Sequence, residues 1–520
     1  MENALEANIK TEFLSIRKQL SQVFEEQNDI EYGIKKDKVL IVSDSSPVNI
    51  YYYSTLSKTL YKHKDLEPLV YFEKKSTEDE MLYQSLNISS FSYLEKNKIA
   101  RLFIALLNTI LLIVTTRNRS NFLKKRFHKV LCGDLIYDTY IREKNRYVNF
   151  KIFSFSFFKE VFKSLYKLYS YEALFEKYSI KAIILNHIVY TKMGLISRVG
   201  IKNGAEVFCM RLTSIRRYTS LNEIENQYEY TPNKKIIDCI LNSYNQNKID
   251  DYIQQRLKGS IKQHDVIEAY KNKQIYNKQT LLSDLNIKNG NPVVFIMPHA
   301  FSDATHGLSG WYLYEDYYEW YCETLKYIST IKNVNWIVKP HPSSYMYGEV
   351  GIAETQLSNY LNENIKQCPA NLSTASIFSI ADSVVTVGGS IGLEFAVLGK
   401  KAIICCETVY ANWGIANEPK TKQEYFEMLK NIKVDALKPE KISVAKAILY
   451  WWHIGAFADS NIYPKTRLIP TLNQTEHMEM KLKMSEEFLI NLKQYNGSTD
   501  NFSIQMEEMI INNEDRLLNI

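Results

Sequence analysis

Five stretches of this chain concentrate the residue types that do chemistry. The first is Gly388-Gly389-Ser390-Ile391-Gly392-Leu393-Glu394. Two glycines remove side chains where a ligand would approach the backbone. The helix expected to start here presents free amide N–H groups and a partial positive charge, so an anion is welcome. Ser390 adds a hydroxyl and is placed as an N-cap. Glu394 lies four residues on, one turn down the same face. A carboxylate there suits sugar hydroxyls better than phosphate. Phosphate at the helix start and ribose on Glu394 make a nucleotide pattern. The plain alternative is a β-turn-α connection with a capping serine and a solvated glutamate.

The second stretch is Lys339-Pro340-His341-Pro342, at the end of an apolar run. Its prolines restrict the backbone and so aim Lys339 and His341, both expected to face a phosphate or base. The third, Pro298 to Gly307, holds His299, Asp303 and His306 after another apolar run. An aspartate beside a histidine suits general-base work, since each tunes the other's pKa. A metal site is the competing idea, but no further ligands converge in sequence.

The fourth is Asn186-His187 with Tyr190, after the apolar run Ala182 to Leu185. Open α/β sheets bind ligands at the carboxyl ends of strands. The fifth is Gly133 to Arg142, where Asp134, Asp138 and Arg142 form one polar stripe if helical. Helix capping by Asp134 and a surface Asp138–Arg142 pair is the structural alternative. Tyr410 and Trp413, in the loop Glu407 to Gly414, are placed to wall a base by stacking.

These residues need strands to hold them. Lys38–Val42, Ala182–Leu185, Val207–Met210, Val293–Met297, Trp336–Val338, Val384–Val387 and Ala402–Cys406 read as buried strands. Helices are predicted over 1–30, 191–203, 311–332, 391–398 and 419–432, and through much of 441–520. Strands alternating with helices imply parallel sheets joined by right-handed crossovers. The loop Asp44-Ser45-Ser46-Pro47 follows the first strand, a common ligand position. The segment 64–100 shows no clear pattern. The segment 212–290 is polar and helix-prone, and ends in the turn Lys288 to Asn291, where a domain boundary is placed. Domains are therefore expected at 1–290 and 291–435, with a helical segment, 436–520, crossing back to the first.

Leu102 to Val114 is strongly apolar but too short to span a bilayer, and Arg117, Arg119, Lys124, Lys125, Arg126 and Lys129 follow it. An apolar face beside a basic cluster fits an anionic membrane surface; a core helix with a solvated basic segment is the simpler reading. The 520 residues include 45% hydrophobic and 23% charged, the profile of an ordinary globular protein. A net charge of +6 is too modest to argue for nucleic acid. Seven cysteines show no zinc or disulfide spacing, so a reducing cytoplasm is expected. The polar, acidic start does not read as a signal peptide.

The KPHP segment and the later Ala381-Asp382 … Thr386-Val387-Gly388-Gly389-Ser390-Ile391-Gly392-Leu393-Glu394 segment together resemble the capsule polysaccharide biosynthesis glycosyltransferases, which include Kdo transferases. The resemblance covers roughly residues 130 to 430. It implies a GT-B fold: two Rossmann-like parallel-sheet domains facing a cleft, with helical extensions at both termini. His341 and Pro342 would then contact the donor nucleotide, with Ser390, Gly392 and Glu394 at its phosphate and ribose, and Lys339, Gly389 and Tyr410 beside them. Asp134, Asn186, Tyr190 and His299 would lie on the acceptor side. Asp303, Asp138 and His187 would supply the catalytic groups. The Gly388-Gly389 pair departs from the more polar pair expected in Kdo transferases.

No D-x-D motif occurs, so the leaving phosphate is expected to be met by a helix start and basic residues rather than by a metal. The resulting expectation is a metal-independent cytoplasmic enzyme, peripheral at the inner face of the membrane. It would move a hexosyl, Kdo or sialic-acid-type sugar from a CMP-, UDP- or GDP-linked donor to a glycan or lipid-linked glycan. No cofactor is expected beyond this donor. Alternatives are a CDP-polyol phosphate transferase, a nucleotide-sugar epimerase and a non-catalytic membrane-surface scaffold.

Overall fold

A computed structural model describes residues 2–27, 30–95, 98–143, 145–226, 228, 230–243, 246–261, 269–270, 273–287, 290–307, 310–434, 436–466, 473–495 and 500–517. The chain forms two compact units. The first comprises Met1–Tyr140, Lys151–Glu229 and Ala456–Asn519; the second comprises Ile141–Phe150 and Tyr230–Gly455.

The first unit is built on six strands: β1 (Asp37–Val42), β2 (Glu67–Phe72), β3 (Phe91–Tyr93), β6 (Ser179–Leu185), β7 (Glu206–Arg211) and β8 (Ser214–Tyr218). A separate antiparallel pair, β4 (Arg126–Phe127) and β5 (Val130–Leu131), lies between them in sequence. The sheet order is β3-β2-β1-β6-β7-β8, parallel except for the β7–β8 pair. The chain thus lays strands outward from β1 on one side, then returns to add β6 on the other.

The second unit repeats this plan. Strands β9 (Val293–Met297), β10 (Asn335–Val338), β11 (Ile365–Gln367), β12 (Ser383–Thr386) and β13 (Ile403–Ile404) form an all-parallel sheet of order β11-β10-β9-β12-β13. Strands β10 and β12 are buried along their whole length, and β9 along all but its last residue. That is why they read as continuous β-branched and aromatic runs rather than as alternating ones.

The boundary expected at 290 falls instead near 230. Helices Lys234–Ser243 and Gln246–Leu257 pack on helix Pro439–Tyr450, all within the second unit. Their polar composition misled because each buries only one stripe. Residues 288 and 289 of the expected turn lie outside the described residues. The C-terminal helices Gln474–Gln494 and Asn501–Ile511 pack on helices Glu2–Gln27 and Pro47–Lys64, so the last segment completes the first unit. Phe488 is fully buried there, with ring contacts to Phe24 (6.4 Å) and Tyr51 (5.6 Å).

Other differences are local. Strand β8 lies in the stretch expected to be helical, and its Arg217 donates to the Asn513 carbonyl (2.7 Å) and to Asp515 (3.0 Å). The helix expected over 191–203 opens as a π-turn, Tyr190–Gly194, before the α-helix Leu195–Lys202. The aromatic helix expected over 311–332 spans only Tyr317–Ile328, capped by Asp316.

Phe488→Ala removes a ring from a packed core, at a cost of about 3–5 kcal/mol. The melting temperature, followed by circular dichroism, is expected to fall by on the order of 10 °C. An unchanged value would mean that the C-terminal helices are not integral to the first unit.

Candidate functional site

In the second unit β10, β9 and β12 are neighbours, so the loops at their carboxyl ends are neighbours too. The order of strand addition reverses between β9 and β12. At such a switch point the two connections leave in opposite directions and open a crevice. Pro298-His299 follows β9, Pro340-His341-Pro342 follows β10 and Gly388-Gly389-Ser390 follows β12.

The His299 and His341 rings lie 5.4 Å apart, tilted by 31°, and both are half-buried. His299 also rests against Tyr317, 5.0 Å between centroids. The Ser343 amide donates to His341 Nδ1 (3.3 Å), a bond that suits the tautomer with its proton on Nε2. Pro342 is half-buried beside it. The loop after His299 is fixed by buried Glu349, whose carboxylate accepts from the Phe301 amide (2.8 Å), the Ser302 amide (2.8 Å) and the Ser302 hydroxyl (2.7 Å). Burial nonetheless holds Glu349 above the usual carboxylate range. Asp303, on the same loop, is half-buried, and its carboxylate takes no hydrogen bond from any described residue.

The glycine turn is braced by its own unit. The Tyr410 hydroxyl donates to the Gly389 carbonyl (2.7 Å), the Thr408 hydroxyl to the Gly388 carbonyl (3.1 Å) and the Gly389 amide to Thr386 Oγ1 (3.2 Å). A Cβ on Gly392 would meet the Tyr410 hydroxyl at 2.2 Å, and one on Gly388 would meet Cys406 Sγ at 2.6 Å. These two glycines are therefore required by packing. Gly389 and Ser390 are half-exposed, and the amides of Ser390 and Ile391 donate to no described residue.

Several expectations change here. Ser390 does not cap the helix Ile391–Val397: its backbone is already helical and its side chain makes no capping bond. Tyr410 is fully buried and cannot stack on a base; it holds the turn instead. Lys339 is turned away from the crevice by burial. Its ammonium donates to the Leu372 carbonyl and to Thr374 Oγ1, both at 3.0 Å, and burial lowers its pKa to about 8. Glu394, only 4% exposed, is not solvated: it accepts from Arg256 Nε (2.8 Å) and from the Tyr270 hydroxyl (3.4 Å). Sequence separation hid this partner, since Arg256 lies 138 residues upstream.

The first unit has its own switch point, between β1 and β6. Asp44 follows β1, and Asn186-His187 follows β6. Asn186 Nδ2 donates to Asp44 Oδ2 at 2.8 Å, the Ser46 amide to Oδ1 at 3.1 Å, and Asn49 adds a third bond. Burial raises the Asp44 pKa; these bonds and the Lys192 charge work against it. His187 is pulled down to about 4 by burial, then by the charges of Arg211 and Lys192. Asn186 Oδ1 is buried with no hydrogen-bond partner among the described residues; His187 Nδ1 makes none of good geometry, although the Val189 backbone lies close enough to pull the ring's pKa back up in part. An orphan such as Asn186 Oδ1 asks for a ligand or water. Tyr190, with its ring 6.3 Å from His187, takes a left-handed backbone (φ 58°).

Gly133–Arg142 is helical, as the Asp134–Asp138–Arg142 stripe requires, but there is no surface Asp138–Arg142 pair among the described residues. Asp134 makes a buried two-pronged pair with Arg198 (2.8 and 2.7 Å), Asp138 is 1% exposed, and Arg142 lies over the Tyr347 ring (4.4 Å). Asp44 is a candidate residue that nothing in its sequence neighbourhood marks beyond its place after a strand, because Asn186 reaches it from 142 residues away.

No family model matches the chain, and no curated protein matches it. Solved structures similar to it include the beta Kdo 2,4 transferase KpsC of Thermosulfurimonas dismutans, at 14% identity over 52% of this chain and 79% of that one, with a TM-score of 0.31. The UDP-GlcNAc 2-epimerase of Neisseria meningitidis is similar at 12% identity, over 80% and 99%, with a TM-score of 0.23. Anabaena Alr3699/HepE, solved with UDP, is similar at 10% identity, over 92% and 99%, with a TM-score of 0.23. At TM-scores this low the likenesses decide neither substrate nor site.

Glu394→Ala removes the carboxylate that pairs with the buried Arg256 guanidinium, a loss of about 3–5 kcal/mol. The melting temperature is expected to fall by on the order of 10 °C, with recovery in the double variant R256M/E394L. A stable Glu394→Ala protein would show that the pair does not hold the unit.

His187 gives a pH signature. Its folded pKa lies below its unfolded value of 6.5, so the neutral ring is favoured by folding. That stability is present above pH 6.5 and is lost as pH falls toward 4. Urea unfolding across this window is expected to show a decline that His187→Gln flattens. Equal slopes in the two proteins would refute a buried neutral ring.

Proposed function

We propose that this chain is a glycosyltransferase of the GT-B kind, moving a sugar from a nucleotide-linked donor to a growing surface glycan. One observation carries the reading: the strand order of the second unit brings His299, His341 and Gly389–Ser390 to the carboxyl ends of three adjacent parallel strands. Their sequences also carry the KPHP and G-S-x-G-x-E resemblance. In this reading the leaving nucleotide phosphate meets the His341 Nε2–H, His299, the Ser390 hydroxyl and the two free amides. These are preorganised donors aimed at the charge that develops as the anomeric carbon–oxygen bond breaks. They do the work without a metal.

The second requirement is a group that takes the proton from the acceptor hydroxyl as the new glycosidic bond forms. Asp303 is the second unit's candidate, because its carboxylate is uncommitted among the described residues. In the first unit, Asp44, Asn186 and His187 form the acceptor-side candidate. Asn186 Oδ1, left without a donor, suits a sugar hydroxyl. His187, with its lowered pKa, serves better as a hydrogen-bond partner than as a store for a proton. Asp44, raised by burial, is the better base there. Glu394 acts in this reading by holding the glycine-turn helix in place through Arg256 rather than by touching ribose.

Thermal shift against CMP, UDP and GDP tests the reading. A nucleotide at about 100 times its dissociation constant adds roughly 2.7 kcal/mol, a rise of several degrees. One base is expected to give this rise, and His341→Ala, at a half-exposed position, is expected to abolish it without lowering the unliganded melting point. Failure of all three nucleotides, or an unchanged shift in His341→Ala, would overturn the assignment. Product analysis with the matching sugar nucleotides then separates transfer from epimerisation, and CDP-glycerol tests polyol-phosphate transfer. Binding without turnover of any donor would leave a scaffold.

A further inference from the structure

We propose that the first unit carries a docking surface for anionic lipid, formed by the helix Ile99–Val114 and the segments beside its C-terminal end. The helix packs on helix Phe155–Lys177 through Ala105, Thr109, Leu112 and Ile113, which are buried. Its opposite face is apolar as well, and it is open. Phe103 is 60% exposed, Leu111 58% and Val114 74%, and Leu106, Leu107 and Ile110 lie between them. A soluble helix normally turns charged residues outward; one that is apolar all round calls for a cover.

The apolar surface continues past the helix. Ile113 lines a hollow of about 370 Å³ together with Ile152, Phe153, Ser154, Phe155 and Phe158. Phe153 and Phe155 at its rim are 75% and 81% exposed.

Charge identifies the cover. No aspartate or glutamate occurs between Lys96 and Gly133. Arg117, Lys124 and Lys129, just beyond the helix, are exposed and form no ion pair with a described residue; Lys151 and Lys159 flank the hollow in the same state. An apolar strip bordered by unpaired cations fits the acyl boundary and anionic headgroups of a lipid leaflet. A second copy of the chain fits poorly, because a two-fold contact across this helix would set cations against cations. The helix has 16 residues, about 24 Å of length, and no described helix is long and apolar enough to cross a membrane. It would therefore lie in the leaflet surface.

Flotation of the full chain with vesicles tests this, using phosphatidylcholine alone and equal parts phosphatidylcholine and phosphatidylglycerol. Binding to the anionic vesicles only is expected, weakening as salt rises. The variants F103S/L107S/L111S and K124E/K129E are each expected to bind roughly tenfold less or weaker, with melting temperatures unchanged because the altered side chains are exposed. F153S/F155S gives the same reading from a separate segment. Absence of vesicle binding, or binding that survives all three variants, would overturn the proposal. So would self-association abolished by F103S/L107S/L111S without any lipid binding, which would make a second copy the cover. The readout needs no donor, so its failure leaves the nucleotide reading untouched.

Discussion

A parallel strand can follow another only if the chain first returns to the same end of the sheet. Everything in this protein follows from how often, and on which side, that return is made. In each unit the chain builds outward from a first strand, then comes back to add strands on its other side. Two connections then leave adjacent strands in opposite directions, and the backbone cannot fill the space between them. Where these strand ends meet is therefore set by strand order before any side chain is chosen. The residues with chemical potential, His299, His341, Ser390, Asp44, Asn186 and His187, are the ones the strands deliver to those edges.

Around the second unit's crevice the polar residues divide by burial. Glu394, Arg256, Tyr410, Lys339 and Glu349 are buried, and each is spent on another protein group. Buried charge persists only when paired or hydrogen-bonded, so these residues form a frame that fixes loops and helix. His299, His341, Asp303 and Ser390 stay half-exposed. A ligand can replace water on such groups without first breaking a buried pair. The segments thus hold two kinds of polar residue, a buried frame and a half-exposed set, and they alternate within a few residues of each other.

The first unit shows a different economy. Its switch point holds a desolvated carboxylate and an orphaned polar atom, Asn186 Oδ1. An unsatisfied buried group costs about 1–3 kcal/mol, so this end of the sheet is not arranged for stability alone. The same unit carries the open apolar helix, a second departure from what stability alone would select.

Most central strands were legible in the sequence, because a strand buried on both faces must be a short β-branched run whatever surrounds it. The glycine turn, the KPHP segment and the Asn-His pair were legible for the same reason: each sits directly after such a run. Strand β8 was not, since Arg217 looks solvent-bound until Asn513 and Asp515 arrive from the far end of the chain. Nor was the boundary near 230, which depends on helices packing on Pro439–Tyr450. Local sequence determined which segments become strands and which residues stand at their ends, because hydrophobic pattern and backbone restriction act over a few residues. Tertiary structure alone decided which of those residues remain available, because a charge such as Glu394 is committed or free only according to the partner that folding brings to it.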